Sequence, residues 1–218
     1  MTPEPPPNGR VFTIGDAVSY GWNAYWQYVG PMVLIAAVII AVNVVLGVIA
    51  QATDSLAALI VLQVLGFVIG IVVAMGLIRA ALAVTEGRMP DVSMLLETDG
   101  FGPYLVASIL VGLGVLAGLI LLIVPGIMLA IMWHFFGYVI VQEPGTRATD
   151  AMRRSAEITR GYRWQLLGLG LVLFLINIAG ALACGVGLIF TYGITAISVA
   201  WAYKTLSGQP IAPLANRR

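Results

Sequence analysis

The stretch YLVASILVGLGVLAGLILLIVPGIMLAIMWHFFGYVIV, residues 104–141, runs for 38 residues without a formal charge. One helix of that length would reach about 57 Å at 1.5 Å per residue, nearly twice a hydrocarbon core of about 30 Å. Val124-Pro125-Gly126 stands in its middle. Proline removes a backbone donor, and glycine permits the reversed φ of a tight turn. The run reads as a hairpin, with Tyr104–Ile123 going out, a turn at Pro125, and Gly126–Gln142 coming back. Counting this run as one crossing or two decides the fold.

The surrounding composition supplies the context. Apolar residues make up 60% of the chain and charged residues 10%, against about 25% charged in a soluble domain. Mean hydropathy is +0.99. Exposed to water, such a chain would carry large apolar patches of the kind soluble monomers avoid. The expected class is therefore all-α, a polytopic transmembrane helix bundle in one domain over residues 12–208. A Pro-rich lead, residues 1–11, is expected to be disordered, and residues 209–218 form a tail. The lead has no apolar run where a cleavable signal peptide would need one. The single cysteine, Cys184, excludes an internal disulfide and a cysteine-based metal cluster.

Four further runs are long enough to span: Pro31–Ala50, Ala57–Val84, Arg163–Ala183 and Gly187–Leu206. With the hairpin counted twice, the total is six spans. One side of the membrane then receives every Lys and Arg or has them at its edge: Arg10, Arg79, Arg88, Arg147, Arg153, Arg154, Arg160, Arg163, Lys204, Arg217 and Arg218. The other side holds Asp54 alone among the charges. With five spans, the five arginines of residues 147–163 would move to the opposite side. Cytoplasmic loops carry the Lys/Arg excess, so six spans with both termini cytoplasmic is the expected topology.

Two amphipathic helices are expected on the inner face. Near 13–29, Thr13 and Asp16 have capping-box spacing with Asp in place of Glu, and Ile14, Val18, Trp22 and Val29 recur at helical intervals. Near 147–160, Thr146 is the expected N-cap and Gly161 the residue past the end. Asp150 and Glu157 sit at i,i+3 and i,i+4 from Arg153, Arg154 and Arg160. Ala148, Ala151, Met152, Ser155 and Ile158 form its weakly apolar stripe. This helix reads either as a structural one lying on the membrane or the bundle, or as a contact for anionic lipid or a partner through Arg147, Arg153, Arg154, Arg160 and Arg163.

Residues 124–169, from the Pro-Gly turn through "ATDAMRRSAEITRGYRW", resemble a group of bacterial six-helix integral membrane proteins. That group includes the membrane domain associated with some glycerophosphodiester phosphodiesterases. The matching positions are Pro125, Gly126, Glu143, Gly145, Ala151, Arg154, Ser155, Gly161, Arg163 and Trp164. The resemblance implies a six-helix fold in the bacterial inner membrane and an association with lipid or envelope biology. It implies no activity, since no phosphodiesterase catalytic domain is part of it.

Chemistry is sparse. The only histidine, His134, lies about 12–14 Å along the helix from Pro125, and no Asp or Glu is expected at that depth to orient it. No H-E-x-x-H, Walker A or G-x-S-x-G pattern occurs. No enzyme activity, cofactor, metal or nucleic-acid partner is expected. An ionisable group inside a span is nonetheless a functional candidate. Asn43, Gln63, His134 and Asn177 together are either a polar path for a small solute or four helix–helix hydrogen bonds. Gly66-x-x-x-Gly70 and Gly114-x-x-x-Gly118 offer close helix approach, within the chain or between copies. The leading expectation is a non-enzymatic membrane protein that scaffolds or binds lipid, another membrane protein or a second copy of itself. The alternative is a small transporter or channel through His134 and Asn177.

Overall fold

A computed structural model of the chain describes residues 11–53, 55–182 and 187–214. The expectations for the Pro-rich lead, Arg10, Asp54, Cys184, Arg217 and Arg218 lie outside the described residues. The described residues form helices and no strand: α1 (Ile14–Gln27), α2 (Val29–Gln51), α3 (Leu56–Thr85), α4 (Phe101–Leu121), α5 (Ile123–Met132), α6 (Phe136–Gln142), α7 (Ala148–Ile158), α8 (Arg163–Leu182) and α9 (Gly187–Leu206). A short 3-10 turn, Val92–Leu95, joins α3 to α4. Among the described residues five segments are long and apolar enough to cross a membrane: α2, α3, α4, the α5–α6 pair and α8; α9, expected as the sixth span, is not one of them. The chain is thus an all-helical membrane protein.

The uncharged run does not turn at its proline. α4 ends at Leu121, Leu122 alone is extended (φ −163°, ψ 143°), and α5 starts at Ile123. Pro125 is the third residue of α5, in the first turn, where its missing N–H costs nothing. α4 and α5 then lie side by side. A Cβ on Gly118 would stand 2.8 Å from Gly126 Cα, and one on Gly114 would stand 2.5 Å from the Trp133 ring. Without side chains at these positions, the two backbones approach closely.

A second interruption has no proline or glycine at all. Helix α5 stops at Met132 and α6 resumes at Phe136. Across the gap the backbone uses i→i−3 bonds, His134 N–H to Ile131 C=O and Phe136 N–H to Trp133 C=O, each at 3.2 Å. That pattern frees the Phe135 N–H and the Met132 C=O. Ser155 of α7 takes both: its hydroxyl accepts from Phe135 at 3.0 Å and donates to Met132 at 2.9 Å. Thr159, also buried, donates to the same carbonyl at 3.4 Å. The arginine-rich helix therefore docks on the bundle through Ala148, Ala151, Ser155 and Thr159.

α9 is the most enclosed helix, with twelve buried residues. α1 runs antiparallel along it rather than standing apart: Phe12 and Tyr20 meet Trp201, Gly21 meets Ser198, and Tyr25 packs on Gly193. Thr13 caps α1 by accepting the Asp16 N–H at 3.0 Å. Burial concentrates at one end of the bundle, around Ala80–Thr85, Ile140 and Ala200–Leu206. At the other end, Val44, Val48, Ile60, Val64, Leu121 and Leu182 are exposed.

Candidate functional site

The turn from α7 into α8 creates the first candidate. Gly161 there has φ +87°, a left-handed conformation that side chains disfavour. It lies two residues beyond Thr159, the residue that ends the helix. At the other end, Arg147 and not Thr146 is the N-cap, without a side-chain hydrogen bond. Thr146 instead turns back to donate to Glu143 at 3.3 Å.

The five candidate arginines divide. Arg153, Arg160 and Arg163 line one cleft of about 580 Å³, together with Met128, Glu157 and Trp164. Arg153 stands at the edge of ion-pair range from Asp150 (4.0 Å) and Glu157 (3.9 Å). Buried and without a partner among the described residues is Arg163 Nε. Trp164 is exposed beside it. Arg154 faces elsewhere and pairs with Glu143 at 2.5 Å. Arg147 is exposed and outside the cleft. Three guanidinium groups beside an indole and a thioether form a surface for an anion attached to something apolar.

The four intramembrane polar residues also divide. Asn43 and Gln63 line one cavity of about 950 Å³ between α2 and α3. Asn43 donates only to its own helix, to Ile39 C=O at 2.8 Å. His134 and Asn177 line another, of about 840 Å³, between α5, α8 and α9, with Thr195. The four do not form one path. The glycine pairs separate as well: Gly114 and Gly118 pack within the chain, whereas a Cβ on Gly66 or Gly70 would meet nothing within 4 Å.

Several polar contacts at the well-packed end carry no periodic signal in the sequence. Lys204, 2% exposed, donates to Glu86 Oε1 at 2.8 Å, and Arg88 pairs with the same carboxylate. Burial works against the charge on Glu86, but the hydrogen bonds from Lys204 and Arg88 outweigh it and hold the carboxyl below its ordinary range. The Gln142 and Gln209 side chains exchange hydrogen bonds, and Tyr203 donates to Gln142 at 2.7 Å. Arg79 ties the α3–α4 connection down, reaching the Glu97 carboxylate at 3.3 Å and the Asp99 carbonyl at 2.8 Å. Among the described residues no three His, Cys, Asp or Glu converge as a metal site would require. Comparison with known proteins returns no match to a family model, a curated protein or a solved structure.

Proposed function

We propose that this chain is a non-enzymatic, six-span membrane protein that binds anionic lipid headgroups in the cleft at the α7–α8 turn. The observation that carries the reading is the convergence of Arg153, Arg160 and Arg163 beside Trp164 in one cleft. Guanidinium groups pair with phosphate through charge-assisted hydrogen bonds, and a phosphate at the membrane surface fits among the three, with Trp164 and Met128 against the adjoining hydrocarbon. α9 is taken as the sixth span: its 20 residues rise about 30 Å. In that topology the cleft and both termini face the cytoplasm, where the positive-inside rule places arginines. The resemblance of residues 124–169 to bacterial six-helix membrane domains agrees with an inner-membrane location and a lipid association.

The test compares the wild type with R153A/R160A/R163A in nanodiscs, counting retained phosphatidylglycerol by native mass spectrometry. Interfacial basic residues each contribute about 1 kcal/mol, so the triple variant should lose phosphatidylglycerol about 100-fold. R147A/R154A should bind as the wild type does. Equal retention in both variants defeats the reading.

A transport reading is favoured by one observation, the shared cavity of His134 and Asn177. It predicts solute flux in liposomes that H134A abolishes; absence of flux in the wild type removes it.

A further inference from the structure

The α2–α3 pair carries two polar side chains that the anionic-lipid reading leaves unused. Asn43 precedes the α2 end at Gln51 by eight residues, and Gln63 follows the α3 start at Leu56 by seven. Each is therefore about 10–12 Å along its helix from the α2–α3 connection. The two share one depth, well inside a hydrocarbon core of about 30 Å. Both are exposed, and both line the groove of about 950 Å³ between the two helices. Asn43 donates one N–H to its own helix, at Ile39 C=O. Its carbonyl and the whole Gln63 amide find no partner among the described residues. In hydrocarbon no water meets an exposed amide, so leaving it unbonded is costly.

The chemistry of the groove selects what covers it. An acyl chain offers neither donor nor acceptor. A charged partner would have to shed its hydration in the bilayer core. An amide carries two N–H donors and a carbonyl acceptor, so a second amide satisfies it in either direction. A second copy of this chain, inserted the same way, brings its own Asn43 and Gln63 to the same depth, because a two-fold axis along the membrane normal leaves height unchanged. Nothing repels that approach. α2 has no Asp, Glu, Lys or Arg, and on α3 the only one is Arg79, sixteen residues beyond Gln63. α2 and α3 are also the least enclosed of the five segments able to span. A Cβ on Gly47 or Gly66, both in the groove, would meet nothing within 4 Å.

From these groups we infer that the chain forms a homodimer through the α2–α3 groove, two copies facing each other across a two-fold axis along the membrane normal. Four helices then surround one layer in which the Asn43 and Gln63 amides of both copies bond to one another, the two faces interdigitating as in a helix bundle. Amides are the polar groups that join helices within a bilayer. The arginine cleft lies on α7 and α8, so the inference does not rest on the anionic-lipid reading.

The experiment follows the full chain in phosphatidylcholine liposomes as added lipid dilutes it, in a C184S background with T149C bearing a donor or an acceptor fluorophore. Energy transfer should fall along a monomer–dimer curve. N43L/Q63L keeps both helices apolar and should shift that curve about 30-fold toward monomer, the effect of losing two interhelical amide contacts. Because two leucines also alter the contact between α2 and α3, a second variant is needed. G66V adds a Cβ that meets nothing in a single copy, so it should keep the thermal midpoint of the monomer and weaken association about 10-fold or more. Under oxidation A50C, in the groove, should give a disulfide-linked dimer, and L113C, exposed on α4, should not. R153A/R160A/R163A should associate as the wild type does. Association that N43L/Q63L and G66V leave unchanged, or cross-linking through L113C and not A50C, overturns the inference. So does a wild type that stays monomeric at every dilution, which leaves the groove to lipid chains or a different protein.

Discussion

Two side chains fix the well-packed end of the molecule, and each makes a testable claim. Lys204 is almost wholly buried, and its counter-charge is Glu86. Because the folded state holds the Glu86 carboxyl below its usual value of 4.5, the pair contributes stability above that pH. The contribution is lost as pH falls through the folded value. Thermal unfolding in detergent should therefore show a midpoint that declines below about pH 4.5 in the wild type and shows less of that decline in E86Q. At neutral pH, E86Q leaves a buried ammonium without its carboxylate and should cost up to about 3 kcal/mol, since Glu86 is partly solvated. Adding K204M should recover part of the loss. Ser155 is the second case. S155A strands the Phe135 N–H and leaves the Met132 C=O only the long bond from Thr159, and should cost about 1–3 kcal/mol, whereas T149A, on the exposed face of the same helix, should change stability by less than about 0.5 kcal/mol.

Among the helices, the sequence was most legible where apolar length alone decides. The first span was expected at Pro31–Ala50 and the helix there is Val29–Gln51; the second was expected at Ala57–Val84 and the helix there is Leu56–Thr85. It was least legible where tertiary contacts decide. Pro125 looked like the turn, yet its fixed φ suits a first helical turn, so the reversal fell at Leu122. Trp133, His134 and Phe135 carry no breaker, because what stabilises their break is a hydroxyl twenty residues further on. The stripe on α1 was visible in the periodicity, but periodicity names no partner, and α9 is that partner. Of the candidate sites, both the arginine cluster and the polar set were picked out by residue type. Their division into two groups each depends on which helices meet. The glycine pairs give the element-scale prediction. G126V would bring its Cβ within 2.7 Å of the Leu119 backbone and should cost about 1–3 kcal/mol. G66V meets nothing and should leave thermal stability unchanged.

For the whole molecule, the arrangement is lopsided: one end is densely packed and polar-bonded, the other presents apolar side chains outward. The six-span topology proposed above makes a direct prediction. In a C184S background, cysteines placed at Leu122 and at Thr149, both exposed, should react with an impermeant maleimide from opposite sides of the membrane. Labelling from one side would end that topology and with it the cytoplasmic placement of the arginine cleft. The bond from Ser155 to the interrupted helix also sets an order of events. A ribosome delivers Met132 and Phe135 before the residue that joins them, so the two orphaned amide groups must wait while the intervening chain is made. Until α7 arrives, the segment holding His134 lacks the hydroxyl that satisfies its break and can run on as an uninterrupted helix. A nascent chain halted before residue 155 is therefore expected to lack the break, with the Phe135 amide bonded within its own helix, and amide exchange at Phe135 is the measurement that checks it.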